Sequence, residues 1–131
     1  MKTILTTYTV PLINHEIIVG YINTGTGLNL LDNIKKSKGT NQFYLENKLF
    51  LDPKDFNIVT SDCAFVATDN SDKPLAIIFY REHFDNGVLV HETNHLIYYL
   101  SRYYGFSEET EFQAYLQEHI FNDINRLIQN K

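Results

Sequence analysis

The sequence predicts an α+β fold in one domain spanning residues 1–131, and three observations carry that expectation. β-branched and aromatic segments fill the chain to about residue 81, two long apolar-periodic stretches occupy its last third, and Gly105 divides those two stretches. Strand-like segments, with one helix expected among them at residues 28–38, followed by two long helices fit an α+β domain. The expected architecture is a short mixed or antiparallel sheet packed on a helix and on a following C-terminal helix. At 131 residues the chain can bury a real core but is too short for two ordinary domains.

Composition narrows the class further. A hydrophobic share of 44% with nine Tyr and nine Phe is that of a folded chain and excludes disorder. A net charge of -5 gives no basic footprint, so no nucleic acid is expected as a partner. The single cysteine, Cys63, has no second thiol for an internal disulfide or a Cys-rich zinc site. Thr3, Thr6, Thr7 and Thr9 interrupt the apolar N-terminus, so no signal peptide is read there. No run approaches the roughly 18 apolar residues of a membrane span. The expectation is a soluble protein without membrane contact, cytoplasmic or, if phage-encoded, in the virion, or else exported by a route the sequence does not show.

Taken in order, Ile4 to Val10 and Glu16 to Ile22 are strand-like and are separated by Pro11 and Asn14. His15-Glu16 repeats the first half of a motif met later, but position 19 is Val, so His15 is read as a surface or turn residue. Thr24-Gly25-Thr26-Gly27 lacks the third glycine of a dinucleotide fingerprint and the G-K-[ST] of a phosphate loop, and reads as a turn. Leu28 to Lys38 spaces Leu28, Leu31 and Ile34 helically and stops at Gly39, an amphipathic helix whose lysines suit its negative end. Phe43 to Leu51 is either a hairpin or one short helix, which pattern alone does not separate.

Cys63 to Thr68 and Leu75 to Tyr80 are apolar runs joined by a polar, proline-containing spacer, hence a hairpin. The spacer lacks the residue order of a calcium loop and reads as a solvated turn. A long helix is expected from about Val88 to Tyr104, N-capped by Asp85 or Asn86 and stopped by Gly105. Its apolar flanks, Val88 to Val90 and Leu96 to Leu100, suggest a helix buried almost all round. Ser107 is the expected cap of the last helix, whose apolar arc is Phe112, Leu116, Ile120, Ile124, Leu127 and Ile128.

The central helix carries His91-Glu92-Thr93-Asn94-His95, an H-E-x-x-H pattern. Residues four apart lie one turn above each other, so His91 and His95 can offer two imidazole nitrogens to one metal ion, with Glu92 beside its open position. This is the ligand, ligand and general-base arrangement of a zinc hydrolase. Buried histidines and a carboxylate are costly without a partner, and a Zn2+ ion would be that partner.

A catalytic zinc takes three protein ligands and a water, so a third ligand must come from elsewhere. The metzincin continuation fails, because Tyr98 stands at its Gly position and Ser101 at its third His, and the only Met is Met1. A downstream carboxylate remains. Here the chain resembles the gluzincin group of zinc peptidases, in which the ligand Glu lies on the following helix, often as E-x-x-A before Asp, Asn or an aromatic residue. Glu111-Phe112-Gln113-Ala114-Tyr115 matches that form. Residues 90–120 also look like small H-E-x-x-H proteins encoded by bacteriophages; the preceding two thirds of the chain match neither group.

The resemblance implies a small zincin-like domain, a metal held by His91, His95 and Glu111, and a peptide or protein substrate. Geometry keeps Glu118 open. In a tight antiparallel hairpin about Gly105, His95 lies roughly 15 Å from the turn at about 1.5 Å per residue, level with Glu118 and not with Glu111. Tyr115, one turn after Glu111, is a candidate to hydrogen-bond a ligand carboxylate or a reacting oxyanion, or else aromatic core. His83 and His119 read as surface residues, with His119 a weaker ligand, and Asn94 faces away from the histidine pair. The strand Leu75 to Arg81 is a candidate edge on which an extended peptide could pair.

Two functions of different class follow. In the first, Glu92 is the general base of a zinc-dependent peptidase that attacks an amide with metal-activated water. The other is a non-catalytic, zincin-like binding or virion-associated protein whose zinc only staples the fold. The retained Glu92 favours the first, since a structural site needs ligands and no base.

Overall fold

A computed structural model describes residues 4–23, 43–44, 50–51, 57–60, 63–68 and 72–129. The expected loop at residues 24–27 and helix at residues 28–38 lie outside them. Seven strands are described: β1 (Ile4–Val10), β2 (His15–Ile22), β3 (Phe43–Tyr44), β4 (Phe50–Leu51), β5 (Asn57–Thr60), β6 (Ala64–Thr68) and β7 (Pro74–Tyr80). Two helices follow, α1 (Asn86–Tyr104) and α2 (Thr110–Gln129). The fold is α+β, as expected.

Five strands form one mixed sheet in the order β1-β2-β7-β6-β5. The β2–β7 pair is parallel, with Ile18 opposite Ala76 and Ile22 opposite Tyr80, and the other three pairs are antiparallel. β3 and β4 pair antiparallel in a separate two-stranded sheet, the strand alternative expected for the ends of residues 43–51. Both central strands are buried nearly throughout. A strand covered on two faces must be apolar on both, so Ile17-Ile18-Val19 and Ala76-Ile77-Ile78-Phe79 run continuously apolar where a half-buried strand would alternate.

Both helices cover one face of this sheet. Leu89, Leu96 and Leu100 of α1 and Leu116, Ile120 and Ile124 of α2 pack with Val19, Val66, Ile77 and Phe79. Each such side chain, fully buried, contributes about 1.5–3 kcal/mol of transfer free energy. The opposite face, including Ile18, Ile22, Phe65 and Ile78, is buried as well. At the β1 edge the Tyr8 hydroxyl donates to Asp123 Oδ2 at 2.6 Å, and burial together with that carboxylate holds the phenol far above its ordinary titration range. No helix among the described residues is long and apolar enough to cross a membrane.

The structure corrects four expectations. β7 is no edge strand: it pairs with β2 on one side and β6 on the other, so no peptide can add to it. α1 is not buried all round; Val90, His91 and Tyr98 are exposed, because a helix lying on a sheet has an outer face however apolar its sequence. The last helix begins at Thr110, since Phe106 to Glu109 form a turn in which the Glu109 amide donates to the Phe106 carbonyl. Ser107 is therefore not its cap, and the Gln113 side chain instead reaches back to the Phe106 and Ser107 carbonyls.

The fourth correction is His15. It is buried at the head of β2, with Nδ1 2.6 Å from the Tyr104 hydroxyl and Nε2 2.7 Å from the Pro74 carbonyl. The carbonyl can only accept, so Nε2 carries the proton and Nδ1 accepts from Tyr104. A local pattern reads His15 as a turn residue because the two groups that enclose it come from β7 and from the far end of α1.

Candidate metal centre

α1 is positioned from its first turn. β7 passes through a short 3-10 turn, Arg81–His83, to Phe84, whose ring packs edge-on against Tyr21 and Phe79, both at 5.4 Å. Asp85 then adopts an extended conformation and its Oδ1 accepts from the Val88 amide at 2.8 Å. This is N-capping, and it fixes where the helix starts and hence the direction in which each later side chain points. Gly105, at φ +80°, ends the helix in the left-handed conformation, with its amide and that of Phe106 both bonded to the Ser101 carbonyl.

Between those ends, His91 and His95 stand one turn apart on the outer face. Their Nε2 atoms are 3.2 Å from each other, and Glu92 Oε2 lies 3.8 Å from His91 Nε2. The side chain of His91 is 66% exposed and that of Glu92 3%. His91, Glu92 and His95 form the one group of three metal-ligating side chains that converge, within 4.8 Å of one another, among the described residues.

Two features of this trio fit a metal ion. At a metal–nitrogen distance of about 2.0–2.1 Å, two nitrogens 3.2 Å apart subtend about 100° at a shared ion, an angle that one metal ion can accommodate. Glu92 Oε1 is buried without a hydrogen-bond partner, and a native carboxylate oxygen in that state calls for an ion or a water. Burial raises the Glu92 carboxyl above its ordinary pKa of 4.5, an effect that nearby His91 partly offsets. Burial, and then His91, lower the pKa of His95, which keeps its imidazole neutral and able to ligate.

Beside Glu92 opens a cleft of about 380 Å³, lined by Cys63, Asp85, Gly87, Val88, His91 and Glu92. Its far wall is set by the sheet: Ala64 of β6 pairs with Phe79 of β7, and the Tyr80 amide donates to the Cys63 carbonyl at 3.0 Å. Cys63 is thereby held at the end of β7 that feeds α1. Sequence reasoning gave Cys63 no place in the site. The signal was present, because the expected hairpin of Cys63 to Tyr80 already brings Cys63 near the start of the helix.

The remaining candidates sit elsewhere. Asn94 receives a hydrogen bond from the Gln117 side chain, so α2 lies along the Asn94 flank of α1. Glu92 is two residues, or about 200°, round the helix from Asn94, so the cleft opens on the opposite flank. Glu111 and Glu118 share a face of α2, as their spacing requires, but both are exposed while Leu116, Ile120 and Ile124 turn to the core. Neither joins the converging group. Tyr115 is exposed and packs on the His119 ring at 4.5 Å, and His83 is exposed.

The site is therefore a two-histidine, one-carboxylate constellation on a single helix, open to solvent above and to a cleft at one side. Comparison with protein-family models, with curated proteins and with solved structures returns no match to this chain.

Proposed function

We propose that the protein is a zinc-dependent peptidase in which His91 and His95 hold the metal and Glu92 is the general base. One observation carries this reading: the two Nε2 atoms converge at 3.2 Å beside a buried carboxylate whose Oε1 has no partner. A purely structural site requires ligands, whereas a carboxylate held beside the ligands with an oxygen to spare is suited to take a proton. The peptide class of substrate rests on the resemblance of His91–His95 and Glu111–Tyr115 to the gluzincin motifs.

A bound Zn2+ ion acidifies water and polarises a carbonyl oxygen. Glu92 accepts the proton of the attacking water at Oε2, the oxygen that faces His91, and its burial raises its carboxyl above the ordinary value and so strengthens it as a base. It then delivers that proton to the leaving amine. The Asp85 cap and the Leu89, Leu96 and Leu100 contacts hold the helix still while this happens, so that the base and the two histidines keep their mutual geometry. The proposed compartment is the cytoplasm, where a protein with one cysteine loses nothing by the absence of disulfides.

Hydrolysis of a peptide library by the zinc-loaded protein, before and after Glu92→Gln, tests the proposal. The expected loss is about 10²–10⁴-fold, the usual contribution of a positioned general base. Cleavage that persists in the variant removes Glu92 as the base. A zinc-loaded protein that melts on chelation and cleaves nothing would support the binding role with a structural zinc instead.

A further inference from the structure

We propose that Glu92 is itself a ligand of the metal ion until substrate arrives, so that His91, His95 and Glu92 together hold the resting centre and its base is freed only when substrate binds. The inference rests on the metal-binding reading of His91 and His95, and it gives Glu92 a second part, earlier than its part as base.

Two ligand spacings overlap on this helix. His91 and His95 are four apart and Glu92 and His95 are three apart, so both pairs are neighbours on the surface of α1. A Glu-x-x-His pair is a spacing from which one helix presents a carboxylate and an imidazole to the same site. The side chains use both spacings: His91 Nε2 is 3.2 Å from His95 Nε2 and 3.8 Å from Glu92 Oε2, and one ligating atom of each residue lies within 4.8 Å of the other two. Three atoms so placed share a point no more than about 2.8 Å from any of them, and metal bonds of about 2.0–2.2 Å to nitrogen and carboxylate oxygen are reached by closing in less than about 1 Å. His91, with its side chain 66% exposed, has room to move.

Charge and ligand count point the same way. The Glu92 side chain is 3% exposed, its Oε1 has no hydrogen-bond partner, and the His91 ring comes no nearer to Oε2 than 3.8 Å. A buried carboxylate is costly without a positive partner, and a metal ion at Oε2 supplies one. Glu111 and Glu118 are exposed on α2 and do not join the group, so among the described residues Glu92 is the donor that brings the protein ligands to three. Oε2 cannot bind the ion and take a proton from water at once. The resting centre is therefore closed by its own base, and substrate must displace Oε2 before hydrolysis begins.

Infrared difference spectra of Zn2+-loaded against metal-free protein read the ligand directly, because the carboxylate stretching bands of a glutamate shift when its oxygen binds a metal. The expected spectrum contains one such pair of bands, which disappears in the near-isosteric Glu92→Gln and persists in Glu111→Gln and Glu118→Gln. Calorimetric titration should show one Zn2+ per chain, with Kd raised in Glu92→Gln beyond the roughly 10–100-fold that loss of a supporting hydrogen-bond partner costs. Stoichiometric Zn2+ that is lost in His91→Ala, with carboxylate bands identical in the parent and Glu92→Gln, overturns Glu92 as a ligand and leaves the histidine centre and its base standing. A parent protein that takes up no Zn2+ overturns the centre itself, and this assignment with it.

Discussion

Two His-Glu pairs occupy this chain, at the head of β2 and in the middle of α1, and their surroundings are opposite. His15 is buried with both ring nitrogens engaged, by the Tyr104 hydroxyl and the Pro74 carbonyl, while its neighbour Glu16 faces solvent. In α1 the arrangement is reversed: His91 is exposed, its nitrogen turned to that of His95, and the neighbour Glu92 is the buried member. What separates a structural histidine from a candidate ligand is whether its lone pair has already been used. His15 holds three elements together; His91 and His95 point their donors at a common space.

That contrast can be broken by exchanging the roles. The largest expected effect is on metal content: zinc measured in the purified protein should fall from one equivalent to none in His91→Ala and His95→Ala, and remain at one in His15→Ala. Zinc lost equally from all three would erase the distinction. Next in size, His15→Ala should cost about 2–4 kcal/mol in denaturant unfolding, because it leaves a cavity and strands the Tyr104 hydroxyl and Pro74 carbonyl. His91→Ala, at an exposed position, should stay within about 0.5 kcal/mol of the parent without metal.

A smaller effect sharpens the second half of the comparison. Asp85→Ala removes the N-cap of the helix that carries the pair and should cost about 1 kcal/mol, read by the same unfolding curves. The smallest concerns the sign of a pH dependence. Glu92 has a folded pKa above its unfolded value, so the folded state binds the proton more tightly. The stability it contributes is complete below the ordinary carboxylate value and is lost as pH rises through the raised one. His95, with a lowered pKa, acts in the opposite sense and adds stability as pH rises through its ordinary value. Comparing metal-free parent and Glu92→Gln isolates the first: the variant should gain on the parent as pH rises above the ordinary carboxylate value and through the raised one. A constant difference across that range would show that burial does not perturb Glu92.

Much of this was legible in the residues because it is decided locally. Asp85 and Gly105 mark the ends of α1 by side-chain capping and by a positive φ, both properties of single positions. β1, β2, β6 and β7 follow from short β-branched runs with turn residues between them. The convergence of His91 and His95 follows from helical periodicity. What failed depends on partners distant in sequence. β7 looks like an edge until β2 pairs with it in parallel, and His15 looks idle until Pro74 and Tyr104 close over it. The apolar arc of α2, by contrast, is local: Leu116, Ile120 and Ile124 are buried and Glu111 and Glu118 exposed, as helical spacing requires.

The parallel seam between β2 and β7 also has a kinetic consequence. Each half of the sheet can form from neighbours in sequence, β1 with β2 on one side and β6 with β7 leading into α1 on the other. Joining them requires Ile18 to find Ala76 and Val19 to find Ile77, contacts that close a long loop before they return any burial. We expect the seam to form last, so that Val19→Ala accelerates unfolding and leaves the refolding rate nearly unchanged, whereas Val66→Ala, in the local hairpin, slows refolding. Since His15 locks the same seam through Pro74, the helix that carries His91 and His95 would be assembled in its own half of the molecule before the other half arrives to clamp it.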